Sequence, residues 1–270
     1  MQNSQYEQQY KKRVIDFFDS RTSYDNDYTI HRALPLLDLV QLQKGQKVLD
    51  MATGTGIIAI AVSQIIGSEE KVTGVDFSSG MLAQAQQKIE ELGLQNIELI
   101  EADAEYIDFN DESFDVILCS TAIVYFKDIP SALRKWYRFL KPGGVIGFSC
   151  CSEESCGAPL IIEICKKHGI SLTSINDPTG TPEKCHHLLA ETGFQNIEVK
   201  TQQLGFYRNL EQAKEWNGGW FHPRENPLLE LSSEQMAELK AEFSQKIEVE
   251  TTEQGAWYEN LTFFVSGRKV

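Results

Sequence analysis

Short apolar runs alternate with amphipathic stretches through the first half of the chain. The runs at 47–51, 71–76, 97–101, 114–120 and 145–149 have strand length and strand composition. Between them, 57–66 begins as an apolar helix, 79–93 carries a serine cap and a glycine stop, and 128–140 carries Leu133, Trp136, Tyr137 and Leu140 after Asp128 and Pro130. Strand, helix and strand in regular alternation predict parallel strands joined by right-handed crossovers. The run at 114–120 is apolar enough to be central. Two stretches a hundred residues apart, 93–99 and 193–199, read almost alike. Their flanks do not match, so they repeat one helix-stop-then-strand solution rather than a duplication, and the second predicts a sixth strand at 197–201 after a helix through Leu188 and Leu189. A last strand is expected at 261–266.

The ends of the chain follow a different pattern. Tyr6, Tyr10, Val14, Ile15, Phe17 and Phe18 recur at helical spacing and predict an amphipathic helix over 5–20 that packs on or caps the core. A second helix is expected over 33–42, with Pro35 tolerated in its first turn. The polar and aromatic stretch 24–32 between them has two readings. It crosses the mouth of a binding site, or it is a capped loop with Asp27 or Thr29 opening the next helix. Residues 210–253 are acidic and mostly helical in pattern, an insertion between the sixth and last strands.

Composition narrows the function. Of the 270 residues 41% are hydrophobic, enough for a packed core in place of disorder. The net charge of −14 argues against a nucleic-acid backbone as partner, because phosphate binding needs a basic face. The first five residues are polar and lack a signal-peptide apolar region, and the longest apolar stretch, 56–66, is far short of the ~20 residues that span a bilayer. A cytoplasmic protein with no membrane partner is expected, a single domain over 1–270. It divides into cap helices (1–42), a binding core (43–150), a sixth-strand unit (151–209), the insertion (210–258) and a final strand (259–270). The six cysteines, Cys119, Cys150, Cys151, Cys156, Cys165 and Cys185, form no C-x-x-C pair. They are read as reduced, buried or strand-end thiols, and no metal site is expected.

The chemistry centres on 47–56. A strand ends at Asp50, Gly54 and Gly56 make a turn, and a helix follows. This brings a ligand against bare backbone at a helix N-terminus. A dinucleotide would lay its pyrophosphate there. Asp50, four residues ahead of Gly54, would repel that group and suits a ligand with an ammonium and no phosphate, such as S-adenosylmethionine. Asp76 ends the second strand twenty residues after Gly56, where an acid can accept from both ribose hydroxyls. Phe77 follows and can contact an adenine face, and Ser78 caps a helix that carries Met81. Asp103 follows the third strand; alone it reads as a turn residue or cap. Asp50, Asp76, Asp103 and Ser120 all fall at carboxyl ends of strands, where an open parallel sheet binds ligand.

Val48-Leu49-Asp50-Met51-Ala52-Thr53-Gly54-Thr55-Gly56 resembles the first motif of the class I S-adenosylmethionine-dependent methyltransferases. That family often writes D-x-G-x-G-x-G; Ala52 stands at the first glycine, as in some members that resemble quinone-biosynthesis enzymes. Leu140-Lys141-Pro142-Gly143-Gly144 is a further resemblance, a helix stop and tight turn into the fifth strand, and together they cover about 44–150. The resemblance implies a Rossmann-like, doubly wound α/β fold: a mostly parallel seven-stranded sheet with its last strand antiparallel, N-terminal cap helices and a helical lid insertion. It implies S-adenosylmethionine as cofactor, with S-adenosylhomocysteine as product. Asp50, Ala52, Thr53, Gly54 and Gly56 would hold it with Asp76, Phe77 and Met81; Asp103 and Ala104 would meet the adenine, and Ser120 and Thr121 would sit beside the methyl. Tyr24 would stand at the mouth. In the insertion, Trp216 and Trp220 either wall a pocket for a planar or apolar small-molecule acceptor or pack the insertion onto the core.

Methyl transfer from a sulfonium is an in-line displacement with a neutral leaving group, so alignment of donor and acceptor is the main requirement. The atom methylated, O, N or C, is open, as is the oligomeric state. A hydroxyl or carbon acceptor needs a base. His222 and His31 are the first candidates, with His186, His187, Tyr24 and Asp25 behind them, although single histidines are commonly surface or core residues. Two other functions use the same turn: a nicotinamide-dependent oxidoreductase, against which Asp50 counts, and a cofactor-binding module without catalysis.

Overall fold

The computed structural model describes residues 2–216, 222–223 and 225–270. Seven strands form the main sheet: β1 (Val48–Met51), β2 (Val72–Asp76), β3 (Ile97–Glu101), β4 (Phe114–Ser120), β5 (Leu140–Cys151), β6 (Gln195–Gln203) and, last in the chain, β9 (Leu261–Arg268). Their spatial order is β3-β2-β1-β4-β5-β9-β6. The first five pair in parallel, and β9 runs antiparallel to both β5 and β6. The expected seven-stranded, mostly parallel sheet with an antiparallel last strand is therefore observed. A separate two-stranded ribbon joins β7 (Phe206–Arg208) to β8 (Ala256–Tyr258), which the pattern did not predict.

Helices lie on both faces. They are α1 (Gln2–Asp19), α2 (Asp27–Ala33), α3 (Leu37–Val40), α4 (Ile57–Ile66), α5 (Ser79–Glu91), α6 (Ile129–Phe139), α7 (Ala158–Lys167), α8 (Pro182–Glu191), α9 (Leu210–Lys214) and α10 (Ser233–Glu250). Their ends follow local chemistry. Ser78 caps α5 by accepting from the Met81 amide, and Asp128 caps α6 by accepting from Ser131, with Pro130 in the first turn. The apolar stripe of α6, Leu133, Trp136 and Phe139, is wholly buried against one face of the sheet. On the other face α4 packs Ile58, Ala59 and Val62 onto Val48, Val72 and Val116.

Three local features depart from the pattern. The residue that caps the second helix is Asn26, which forms a reciprocal capping box with Thr29. The expected helix over 33–42 is a 3-10 turn (Leu34–Leu36) running into α3, because Pro35 supplies no amide hydrogen there. The turn at 141–144 is absorbed into β5 as an irregularity, with the register jumping from Phe114↔Leu140 to Val116↔Val145. The described part of the insertion packs α10 on α7 around Ile161, Ile164, Leu239 and Phe243, a third core of its own. Among the described residues no helix is long and apolar enough to cross a membrane.

Helix α3 rests directly on β5. A Cβ at Gly147 would lie 2.8 Å from Val40 Cγ1 and 3.1 Å from Leu118 Cδ2. Val40 is β-branched and buried, so it cannot swing away. Gly147→Ala is expected to destabilise the protein by about 1–3 kcal/mol through overpacking, which a urea denaturation midpoint would show; an unchanged midpoint would refute this account of the contact.

Candidate functional site

The carboxyl ends of β1, β2 and β4 open into one cavity of about 970 Å³, measured out to its solvent mouth. Its floor is the turn after β1. Ala52, Gly54 and Gly56 all have positive φ, at 55°, 55° and 78°. This alternation directs the turn's polar groups to two acids. The Thr53 hydroxyl donates to Asp50 Oδ2 at 2.6 Å, and the Gly54 amide donates to Asp76 Oδ2 at 2.8 Å. The Ser78 amide donates to the other oxygen of Asp76 at 2.9 Å. Two carboxyls on neighbouring strands are thus fixed by backbone and by one hydroxyl.

Both acids are buried, and Asp50 is only 1% exposed. Burial raises the Asp50 pKa to about 7, opposed by the Thr53 hydrogen bond and reinforced by the charge on Asp76. Burial also raises that of Asp76, against its backbone donors. Among the described residues no lysine or arginine pairs with either.

The sequence placed most of the cavity's lower wall. Asp50, Ala52, Thr53 and Gly54 line it, as do Asp76, Phe77 and Met81 on the β2 side. Asp103 and Ala104 close one end, and Ser120 and Thr121 stand at the end of β4. Gly56 does not line it. It caps α4, and a Cβ there would come 3.2 Å from Ala85 Cβ, so its lack of a side chain serves helix packing. Tyr24 and Thr29 line the mouth, and Asp25 next to them accepts from Thr55 at 2.5 Å and pairs with Lys88.

The upper wall comes from α1, through Lys11, Val14 and Phe18, with Tyr125 and Phe126 beside it. The sequence reading missed Lys11, whose ammonium lies 2.5 Å from Asp103 and 2.9 Å from Glu105. A local signal exists: Glu7, Lys11, Val14 and Phe18 share one helical face. Its partners, however, are some ninety residues away.

Four candidates do not reach the cavity or cannot be placed there. His31 is exposed on α2, its Nδ1 2.5 Å from the carbonyl of Asp27 one turn back. His222 is buried elsewhere, its Nδ1 accepting from the Glu225 amide and its carbonyl from Tyr6. Trp216 stacks edge-on against Phe243 at 5.3 Å in the insertion's own core, where a large ring gains most from burial. Trp220 lies outside the described residues. His186 and His187 are exposed on α8, so among the described residues no histidine lines the cavity. Tyr24 and Tyr125 do line it, and burial raises both phenols, so they stay protonated at neutral pH.

An open, doubly wound sheet with a cavity at the ends of its first, second and fourth strands, and an antiparallel strand between the fifth and sixth, defines the Rossmann-like methyltransferase fold. The chain belongs to the ubiE/COQ5 methyltransferase family, whose model matches residues 8–159, more than half of its length. It is 40% identical over 120 residues to a demethylmenaquinone methyltransferase of Staphylococcus epidermidis, covering 44% of this chain and 48% of that protein. A Listeria welshimeri protein of the same name is 41% identical over 108 residues, 40% of this chain and 46% of that one. The chain thus spans about half the length of the curated relatives it matches. Among solved structures, the YcgJ protein from Bacillus subtilis superposes with a TM-score of 0.60 at 16% identity, covering 90% of this chain and 99% of that one. A putative methyltransferase from Bacillus halodurans gives 0.57 at 24%, covering 87% and 97%. These two carry the fold.

Ala52 is the one non-glycine of the turn held at positive φ. A left-handed alanine costs roughly 1–2 kcal/mol, and glycine loses up to about 1 kcal/mol of that gain through its freer unfolded chain. Ala52→Gly is therefore expected to raise stability by about 0.5–1 kcal/mol, seen as a higher thermal midpoint; a lower midpoint would show that the Ala52 methyl contributes packing that outweighs the strain.

Proposed function

We propose that the chain transfers a methyl group from S-adenosylmethionine to a small-molecule acceptor by in-line displacement, releasing S-adenosylhomocysteine. The observation that carries this is Asp50: a buried carboxyl at the end of β1, without a cation of its own, facing a cavity with a second acid beside it. Such a pair suits a cationic ligand with vicinal hydroxyls and disfavours a pyrophosphate, so the nicotinamide reading is set aside. Family membership supports the same conclusion.

On this reading Asp50 holds the ammonium, Asp76 the ribose hydroxyls, and Asp103 the adenine amino group. Phe77 and Met81 flank the adenine, and the turn at Ala52–Gly54 carries the chain close to the ligand. The bound cofactor supplies an activated methyl on a sulfonium. The protein's own contribution is alignment. Ser120, Thr121, Tyr24 and Tyr125 surround the place where the acceptor must stand, and the protonated phenols orient it as donors.

The relatives are demethylmenaquinone methyltransferases, which makes a quinone-like acceptor one option. Their similarity covers less than half of this chain. A planar acceptor suits the aromatic walls contributed by Phe18, Tyr24 and Tyr125.

Calorimetric titration with S-adenosylhomocysteine, with NAD as control, tests the class: binding of the first alone is expected, and binding of NAD alone would overturn it. Asp76→Ala should weaken S-adenosylhomocysteine binding by roughly ten- to a hundredfold, the worth of hydrogen bonds to a charged group; unchanged affinity would remove Asp76 from the site. A pH series tests Asp50. Its folded pKa of about 7 means that below pH 7 the free site holds a proton that the ligand's ammonium must expel. Affinity should therefore rise with pH, by up to about tenfold per unit below pH 7, and level off above it. The same proton release would appear as a buffer-dependent binding enthalpy, and a flat pH profile would remove the ammonium from Asp50.

A further inference from the structure

A second cavity of about 520 Å³, measured out to its mouth, adjoins the first and shares Phe18, Tyr24, Thr121 and Tyr125 with it. Its remaining walls are Phe17 and two arginines, Arg21 and Arg32. Two arginines in one small cavity are notable in a chain with 39 acidic and 25 basic residues, because acids are available to pair with them. Yet among the described residues neither pairs with a carboxylate. Arg21 lies over the rings of Phe17 and Tyr24, at 5.2 and 5.4 Å from their centroids. Arg32 lies 5.1 Å from the Tyr28 centroid, and its Nη2 donates to Cys151 Sγ at 2.9 Å. Its Nε is buried and has no hydrogen-bond partner. A guanidinium has five donors in a planar fork, and the fold leaves most of them unused.

We infer that this side cavity is the acceptor subsite, and that the acceptor is an aromatic carboxylate. Three properties point to that class. The walls are aromatic and accept a planar ring. The cationic forks match a carboxylate in shape and charge. The cavity meets the first one at Thr121, Tyr24 and Tyr125, the residues beside which the methyl would lie, so a molecule anchored by its acid group at the arginines extends its ring toward the donor. Cys151 does not line this cavity. Its thiol is held down, to about 6, by a hydrogen bond from Cys156 and by the neighbouring Arg32, so it orients Arg32 from behind. Among the described residues Arg21 has no such partner, and its guanidinium lines the cavity.

The inference rests on the methyl-transfer reading, and the experiment separates the two. Hydroxybenzoate and hydroxynaphthoate acids are titrated, each against its neutral amide, with and without saturating S-adenosylhomocysteine. The acids are expected to bind at least about tenfold more tightly than the amides, as charge-assisted hydrogen bonds require. Arg21→Gln and Arg32→Gln should each lose most of that preference while binding S-adenosylhomocysteine like the wild type. Arg32 is tied into the fold by Cys151 and Tyr28. If its variant fails to bind S-adenosylhomocysteine, the exposed Arg21 and the wild-type acid-to-amide ratio carry the decision. Equal binding of acid and amide by the wild type, or an acid preference that survives both substitutions, overturns the inference and leaves methyl transfer standing. An acid preference without any S-adenosylhomocysteine binding supports the anion site and overturns methyl transfer.

Discussion

Three positive φ angles within five residues, at Ala52, Gly54 and Gly56, set the geometry of the whole site. A strand that ends in a helix must reverse direction within a few residues, and an ordinary right-handed turn would point its amides into the sheet. The left-handed steps turn the Gly54 amide toward Asp76, while the Thr53 amide stays paired with the Val75 carbonyl of β2 and leaves its hydroxyl for Asp50. Thr53 can then reach back to Asp50 and Gly54 across to Asp76, so the two acids are fixed by the same four-residue segment. The neighbouring strand is built to permit this. A Cβ at Gly74 of β2 would lie 3.1 Å from the Thr53 side chain, so the strand next to the turn leaves out a side chain to admit it. The end of β4 repeats the device: Thr121 has φ 53° and its amide donates to the Ser149 carbonyl of β5. Strand ends finished by left-handed residues are costly, and such strain persists only where surrounding packing over-determines it.

The upper wall is attached by different means. Helix α1 buries Tyr10 and Val14 in the protein, but its contacts with the strand ends are polar. Lys11 reaches Asp103 and Glu105, and Asp19 accepts from Ser78 and from the Gly80 amide. Asp25 accepts from Thr55. The Lys11 pairs are largely buried, whereas the more exposed contacts contribute roughly a kcal/mol or less each; the burial of Tyr10 and Val14 anchors the helix as well.

The elements legible in the sequence were those with a local cause. The strands of the main sheet follow from short apolar runs, and Asp50, Asp76 and Asp103 could be expected at the cavity because each stands at or just after the end of a strand. What stayed hidden depends on long-range contacts. Lys11 pairs with an acid 92 residues away, and Arg32 meets a thiol 119 residues away. No periodicity reports such distances. The insertion shows the opposite error. Trp216 and His222 were singled out for their chemistry, but residue type alone does not say which core a residue serves, and a ring as large as Trp216 packs in the nearest apolar cluster, here that of Phe243. Pro35 was read as tolerated in the first turn of a helix over 33–42 and 141–144 as a turn before the fifth strand; the structure makes the first a 3-10 turn and the second an irregular start to β5.

The cavity's polar groups also constrain how the proposed transfer would work. A base needs a pKa near the working pH and access to the acceptor. Tyr24 and Tyr125 have access, but burial holds them protonated. Asp50 has a pKa near 7, but Thr53 occupies one of its oxygens and its carboxyl lies beneath the turn. Once an ammonium sits against it, the carboxylate is committed to that charge. The proton of a hydroxyl acceptor must then leave to solvent, or that acceptor must arrive already ionised. Both routes depend on positive charge near the acceptor rather than on a base, and the described cavities hold such charge in only two places. One is Lys11, which two carboxylates neutralise; the other is the pair of arginines, which no carboxylate does.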